Sequence, residues 1–170
     1  YDIASITKIV ATTISIMKLD EENKINLSDT LGYWLPELVK GTDYASLRID
    51  EMLAHNAGLA SWIPFYTKTL INDIPDHSYY SINKEKEFDL QVTPKMYLDH
   101  RFYDTIYQTI LSTSLYEKTY RYSDLGYYFL KIIIEKITKT TLDEYVYDNF
   151  YYPLGLKNTG YYPLHRTDVN

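Results

Sequence analysis

The chain has 170 residues, of which 45% are hydrophobic and 24% charged, and its formal net charge is −6. These values are typical of one soluble globular domain, and the negative charge argues against nucleic acid or an anionic membrane as the main partner. There is no cysteine, which excludes disulfides and thiolate metal sites, and no apolar run is long enough to predict a transmembrane segment. We expect neither a metal ion nor a cofactor.

The first predicted element is a helix that begins at Ser5-Ile6-Thr7-Lys8 and runs to about Leu19. Its predicted inner face is an apolar stripe: Ile6, Ile9, Val10, Ile14 and Met17. Ser5 and Lys8 are three residues apart, so they lie on one face of the first turn. Free N–H groups and the positive end of the helix dipole in that turn favour a serine nucleophile with an amine beside it.

The pattern S-x-x-K occurs at two other places, Ser15 to Lys18 and Ser81 to Lys84. Ser15 lies well inside the same predicted helix, two to three turns from the positive end of the dipole. Ser81 lies in a polar stretch without apolar periodicity, so we interpret it as a loop residue. Ser5 is therefore the candidate nucleophile.

Further along the chain, a short helix is predicted after Asp29 and must end before Pro36. A helix over Leu47 to His55 follows, with Gly58 as a left-handed cap. Periodicity fades from Ser61 to Pro94, which indicates a functional or mobile loop region. Two helices are then predicted, one over Pro94 to Arg101 and one over Tyr103 to Ser112.

The strongest periodic run begins after Asp124, and its predicted inner face consists of Leu125, Tyr128, Phe129, Ile132, Ile133 and Ile137. A last helix begins at Thr141 and ends before Pro153. Because few strands are predicted, we expect the chain to be mostly α-helical.

Tyr122-Ser123-Asp124 leads directly into the strongest predicted helix. Together with Ser5-Ile6-Thr7-Lys8, it resembles the first two motifs of the penicillin-recognising serine hydrolases, in the branch of class C β-lactamases and D-alanyl-D-alanine carboxypeptidases. That family has S-x-x-K, then Y-x-N, then K-T-G or H-x-G. The segments Leu47 to Leu59 and Tyr152 to Gly160 are also similar to segments of the family, whereas Ser61 to Lys118 matches poorly.

The resemblance implies the helical portion of a two-part α/β fold. It also implies that Ser5 attacks a carbonyl to form an acyl-enzyme, while Lys8 and Tyr122 manage the proton. Asp124 stands where the family usually has asparagine, at a position that contacts substrate. A carboxylate can only accept hydrogen bonds, so we expect Asp124 to pair with Lys8 and keep it charged. Two other matches to the loose second motif, at Tyr97 and Tyr147, lie within predicted helices.

Neither K-T-G nor H-x-G occurs in the sequence. We therefore interpret residues 1–170 as a partial domain, the helical region without its flanking strands, and we expect hydrolysis by this piece alone to be absent or severely impaired. The implied substrates are a β-lactam, a peptidoglycan D-alanyl peptide or a small ester, in the periplasm or cell envelope. Self-association through surface left by the missing strands is a further expectation.

The alternative is a non-catalytic domain that binds cell-wall peptide or a partner protein, attached for example to a β-N-acetylglucosaminidase. Structural interpretations also exist for single residues. Ser5, Ser123 or Asp124 could cap helices, and His55 could bond locally at a helix end.

Overall fold

The computed structural model describes residues 1–161, and these form two compact units. The first unit comprises Tyr1–Trp62 and Ser114–Tyr161, and the second comprises Ile63–Thr113. The first unit contains all four candidate site residues.

Helices dominate the first unit. Its α-helices are α1 (Ile14–Glu21), α2 (Leu31–Trp34), α3 (Pro36–Val39), α4 (Ile49–Leu53), α6 (Leu125–Thr138) and α7 (Leu142–Val146). The segments Lys8–Thr13 and Tyr147–Tyr151 are π-helical, and Asp43–Ser46 is a 3₁₀-helix. The prediction of a mostly helical chain is confirmed.

Helix α6 lies at the centre of the first unit, where it contacts α1, α4, α7 and the π-helical segment Lys8–Thr13. The predicted helix is confirmed, but its buried face is broader than predicted. Tyr127, Leu130 and Ile134 are buried, whereas Tyr128 and Ile132 are only half-buried. A helix with neighbours on several sides buries more than one apolar stripe.

The first helix differs from its prediction in which face points inward. The buried residues are Ala11, Thr12, Ser15, Ile16 and Leu19, whereas Ile6 and Ile9 are each 58% exposed and Met17 is 63% exposed. The predicted inner stripe is therefore mostly the outer face among the described residues. Self-association through surface left by the missing strands stays a prediction.

The end of α4 also differs from its prediction. The helix ends at Leu53. The first left-handed residue after it is His55, with φ +55°, and not the predicted cap Gly58. Gly58 is left-handed as well, with φ +71°, but it lies in the following loop.

The second unit contains a 3₁₀-helix (Phe65–Thr69), then five short strands and one α-helix, α5 (Phe102–Leu111). The strands are β1 (Leu70–Ile71), β2 (Ile74–Pro75), β3 (Tyr80–Ser81), β4 (Phe88–Thr93) and β5 (Met96–Asp99). Strands β1 and β2 form an antiparallel hairpin, and the other three form an antiparallel sheet in the order β3-β5-β4.

Two predictions for this region are wrong. Pro94 to Arg101 is not a helix, because Met96–Asp99 pairs as a strand with both of its neighbours. The stretch from Ser61 to Pro94 is also more than a loop, since it holds β1 to β4. The predicted helix over Tyr103 to Ser112 is present as α5.

Within the part of the chain that the structure describes, no helix combines the length and apolar composition needed to cross a membrane.

Candidate functional site

Ser5 lies on an exposed turn just before the first helix. The preceding residue, Ala4, has φ +43°, in the left-handed region that side chains other than glycine rarely adopt. The Ala4 N–H donates a hydrogen bond to Asp2 Oδ1 at 2.7 Å, and the Lys8 N–H donates to the Ser5 carbonyl oxygen at 3.0 Å. An unusual backbone conformation beside an exposed hydroxyl is typical of functional sites.

Lys8 connects Ser5 to the second motif. Its ammonium donates a hydrogen bond to Ser5 Oγ at 3.0 Å and lies 2.6 Å from Asp124 Oδ1, a buried carboxylate oxygen. The same nitrogen is 5.3 Å from the centre of the Tyr122 ring and 5.6 Å from that of Tyr127. One cation is therefore shared by a hydroxyl, a carboxylate and two aromatic rings.

These neighbours determine the charge of Lys8. Burial by itself would lower the pKa of the ammonium, but its attraction to the Asp124 carboxylate and the Tyr122 phenol outweighs burial and raises the pKa of Lys8 above its ordinary value. The Lys8 side chain is 15% exposed, so solvent screens this cluster only in part. Lys8 is consequently an ammonium at neutral pH.

The segment that carries Tyr122 is held by the residue at the end of α4. The Arg121 N–H donates to the His55 carbonyl oxygen at 2.8 Å, and the Ser123 N–H donates to His55 Nδ1 at 3.1 Å. Both hydrogen bonds flank Tyr122. The His55 ring also lies against the Tyr122 ring, with 4.4 Å between their centres.

Two more contacts fix the start of α6. The Ser123 hydroxyl donates to the Ala60 carbonyl oxygen at 2.6 Å and accepts from the Leu125 N–H at 3.1 Å. The Asp124 N–H donates to the Ser61 carbonyl oxygen at 2.8 Å. The Ser123 hydroxyl therefore binds the first N–H of α6, whereas Asp124 stands at the N-cap position without a side-chain cap bond and its carboxylate pairs with Lys8.

The His55 backbone N–H donates locally to the Met52 carbonyl oxygen at the end of α4, at 3.2 Å, as the structural interpretation expected, whereas the ring binds Ser123, 68 residues away in sequence. Burial and, after it, the positive charge of Lys8 lower the pKa of His55. Its Nδ1 accepts a hydrogen bond from a backbone N–H, which requires the neutral ring with the proton on Nε2.

The structure thus brings Ser5, Lys8, Tyr122 and Asp124 into one cluster. The other two S-x-x-K serines lie elsewhere: buried Ser15 donates to the Ala11 carbonyl oxygen at 2.8 Å, and Ser81 donates to Glu85 at 2.9 Å. Among the described residues, no three acidic or histidine side chains converge as a metal site. Sequence reasoning did not predict the contact between His55 and the second motif. The similarity of Leu47 to Leu59 to the family was the one sequence signal near this residue.

Comparisons with known proteins give a family model and relatives that match nearly the whole chain. The family model described as "Beta-lactamase" matches residues 1–168. A curated relative from Bacillus subtilis (strain 168), named N-acetylmuramyl-L-alanine amidase, is 32% identical over 173 residues, which cover 98% of this chain and 34% of the relative. The chain therefore spans about a third of the length of that relative.

Solved structures show the same fold. A D-stereospecific amidohydrolase from Streptomyces sp. superposes with a TM-score of 0.64 at 20% identity, covering 92% of this chain and 43% of that one. A beta-lactamase/D-alanine carboxypeptidase from Yersinia pestis superposes with a TM-score of 0.59 at 22% identity, covering 93% and 39%. These likenesses support the prediction of the helical portion of a two-part fold.

Proposed function

Because this chain belongs to the beta-lactamase family, we propose that it carries the nucleophile half of a serine hydrolase site. Ser5 attacks the carbonyl carbon of an amide, lactam or ester, and the bond to the leaving group breaks as an acyl-enzyme forms on Ser5 Oγ. The observation that carries the proposal is the Lys8 ammonium, placed between Ser5 Oγ at 3.0 Å and Asp124 Oδ1 at 2.6 Å.

The proton from Ser5 needs an acceptor. An ammonium can only donate hydrogen bonds, so Lys8 in the charged state cannot take this proton. A neutral phenol cannot take it either, so we assign the acceptor role to the Lys8–Tyr122 pair after the pair has lost one proton, as a phenolate beside the ammonium or a phenol beside the amine. The pair then returns this proton to the leaving group, while the Asp124 carboxylate favours the ammonium form of Lys8 and so opposes the loss of the first proton.

The proposed substrates are a β-lactam, a D-alanyl peptide of peptidoglycan or a small ester, met in the periplasm or cell envelope. The named activities of the relatives, an amidase of N-acetylmuramyl-L-alanine and a beta-lactamase/D-alanine carboxypeptidase, support amide bonds of cell-wall compounds as the substrate class. With two of the three family motifs in the sequence, residues 1–170 alone are proposed to give little or no turnover.

Labelling of the full-length protein tests the proposal. A fluorescent penicillin or fluorophosphonate should label the wild type, and Ser5→Ala should abolish the label, because the covalent bond forms at Ser5 Oγ. Ser81→Ala is the matched control, since it removes the serine of another S-x-x-K sequence in the second unit and should leave labelling unchanged. Labelling that survives Ser5→Ala would refute the assignment.

A second candidate is a non-catalytic domain that binds cell-wall peptide or a partner protein, for example one attached to a β-N-acetylglucosaminidase. The specific observation in its favour is the Asp124 carboxylate, because its contact with Lys8 opposes loss of the lysine proton. A folded wild-type protein that takes no label but binds peptidoglycan peptides would support this second candidate.

A further inference from the structure

We propose that His55 is a positioning residue for the second motif, and that its neutral ring holds the Tyr122 phenol beside Lys8. This inference rests on the proposed function, because its consequence is a rate of Ser5 acylation that depends on His55. The ring and the backbone of His55 supply the contacts on both sides of Tyr122.

Few other contacts fix the position of the Tyr122 ring. The Tyr122 side chain is 43% exposed, so burial alone does not fix its ring. The His55 ring lies 4.4 Å from it with a tilt of 37°, and the hydrogen bonds from Arg121 and Ser123 to His55 fix the backbone before and after it. The contact between the two rings and the backbone hydrogen bonds to His55 therefore restrict the position of the phenol.

The backbone of His55 is itself unusual. Its φ of +55° turns the chain sharply after α4, which brings both the carbonyl oxygen and the ring of the same residue to the second motif. Asparagine adopts this conformation more readily than most residues. Its side-chain oxygen can also accept a hydrogen bond in place of Nδ1. Asparagine can therefore replace the acceptor but not the ring.

Protonation of His55 would remove the acceptor. A charged imidazole has a proton on both nitrogens, so Nδ1 could no longer accept from the Ser123 N–H. The groups that face this ring are the Lys8 ammonium, the Asp124 carboxylate and the phenols of Tyr120, Tyr122 and Tyr127. Burial and Lys8 favour the neutral ring and outweigh Asp124, which explains the lowered pKa of His55.

The direction of the pH effect follows from this lowered pKa. The neutral ring is present above the pKa of His55, so the support for Tyr122 is complete at neutral pH. This support is lost as the pH falls through the pKa of His55 in the folded protein. That pKa lies below about 6.5, the ordinary histidine value. Acylation of Ser5 should therefore decline on the acid side with the titration of His55.

Three variants of the full-length protein separate the contributions. His55→Asn keeps the acceptor without a titrating group but loses the ring contact with Tyr122, so it should lower the labelling rate by a few-fold near pH 8 and lose the acid-side decline due to His55. His55→Phe keeps a ring but no acceptor, and should lower the labelling rate at all pH values, by up to about 100-fold. His100→Asn is the control, since His100 pairs with Asp89 in the second unit and should leave the pH profile unchanged.

A measurement without turnover separates failure of this inference from failure of the proposed function. In the full-length protein labelled with ¹⁵N, the Ser123 amide resonance should shift with the same midpoint as the His55 ring, and His55→Asn should abolish that shift. If the wild type takes no covalent label but this link is present, the hydrolase proposal fails and the positioning role stands. A Ser123 amide resonance that does not shift as His55 titrates would overturn the inference. Equal labelling rates and pH profiles in wild type, His55→Asn and His55→Phe would also overturn it.

Discussion

At the scale of single residues, the charge of Lys8 decides what the cluster can do. The ammonium is a hydrogen-bond donor to Ser5, and Asp124 is the negative group that keeps it protonated. An asparagine at the same place would offer a neutral oxygen to Lys8 and an N–H to a substrate carbonyl. Asp124 therefore favours a charged lysine and gives up one possible contact with substrate.

Asp124→Asn in the full-length protein is expected to raise the rate of Ser5 acylation. Loss of the carboxylate removes a main cause of the raised pKa of Lys8, so a larger fraction of the lysine can lose its proton. A fall of one unit in the pKa of Lys8 would increase that fraction roughly tenfold. The rate of labelling by a fluorescent penicillin, measured at several pH values, checks the prediction.

Asp89→Asn is the matched control, because it makes the same substitution in a carboxylate that contacts His100 Nδ1 at 3.0 Å in the second unit. It should leave the labelling rate unchanged. No gain in rate from Asp124→Asn would count against the role assigned to the Lys8–Asp124 ion pair.

The site was predictable from sequence only where its contacts are local or matched a family motif. Ser5 and Lys8 are three residues apart on a helix start, and Tyr122 to Asp124 resembled the second motif. The His55 contact joins residues 68 positions apart, and neither periodicity nor spacing encodes such a pairing. Local propensity likewise does not predict a left-handed φ at a histidine.

At the scale of elements, the predictions failed where packing between distant segments decides the structure. The spacing in Ile6, Ile9 and Met17 correctly indicated a helix, but the buried positions include Ala11 and Ile16 instead, in a segment that contacts α6 and α7. Met96–Asp99 looked helical in isolation, yet two neighbouring strands bind its backbone on either side. Strand pairing depends on partners that a single segment does not contain.

Gly58 shows a second kind of constraint, a close approach between two backbones. Its carbonyl oxygen accepts a hydrogen bond from the Tyr116 N–H at 2.7 Å, and a Cβ at Gly58 would lie 2.3 Å from the Tyr116 carbonyl oxygen. The loop that follows His55 can therefore pass this point only without a side chain.

Gly58→Ala should destabilise the fold more than Gly41→Ala does. Both glycines are left-handed, with φ of +71° and +74°, so each substitution costs about 1 kcal/mol for the backbone conformation. Gly41 has no atom within 4 Å of the added Cβ, whereas Gly58 meets a carbonyl oxygen, which adds roughly 1–3 kcal/mol. The free energy of unfolding in urea checks the difference, and equal losses for the two variants would contradict it.

At the scale of the whole molecule, burial of phenol groups couples stability to alkaline pH. Of the 20 tyrosines in the sequence, Tyr44, Tyr145 and Tyr151 are buried in the first unit and have a raised pKa. Burial is the main cause for each, because a phenolate loses its hydration in the core. For Tyr44 the pKa rises to about 12.

The sign of the effect follows from the retained proton. Tyr44 keeps its proton in the folded state up to a pKa of about 12, while in the unfolded chain it ionises near pH 10. Its contribution to stability is complete below pH 10 and is lost as the pH rises towards 12. At pH 11 the loss is roughly 1 kcal/mol relative to neutral pH.

Tyr44→Phe is expected to reduce the loss of stability between pH 8 and pH 11 by roughly that 1 kcal/mol, because the ring stays and the ionising group is gone. The ring of Tyr44 lies 6.1 Å from that of Phe129, a contact that phenylalanine can keep. Urea unfolding of the full-length protein at both pH values, followed by helical circular dichroism, measures the change. Tyr33→Phe, at a side chain that is 69% exposed, is the control and should leave the alkaline loss unchanged. If Tyr44→Phe and Tyr33→Phe show the same pH dependence, burial of Tyr44 does not couple the fold to pH.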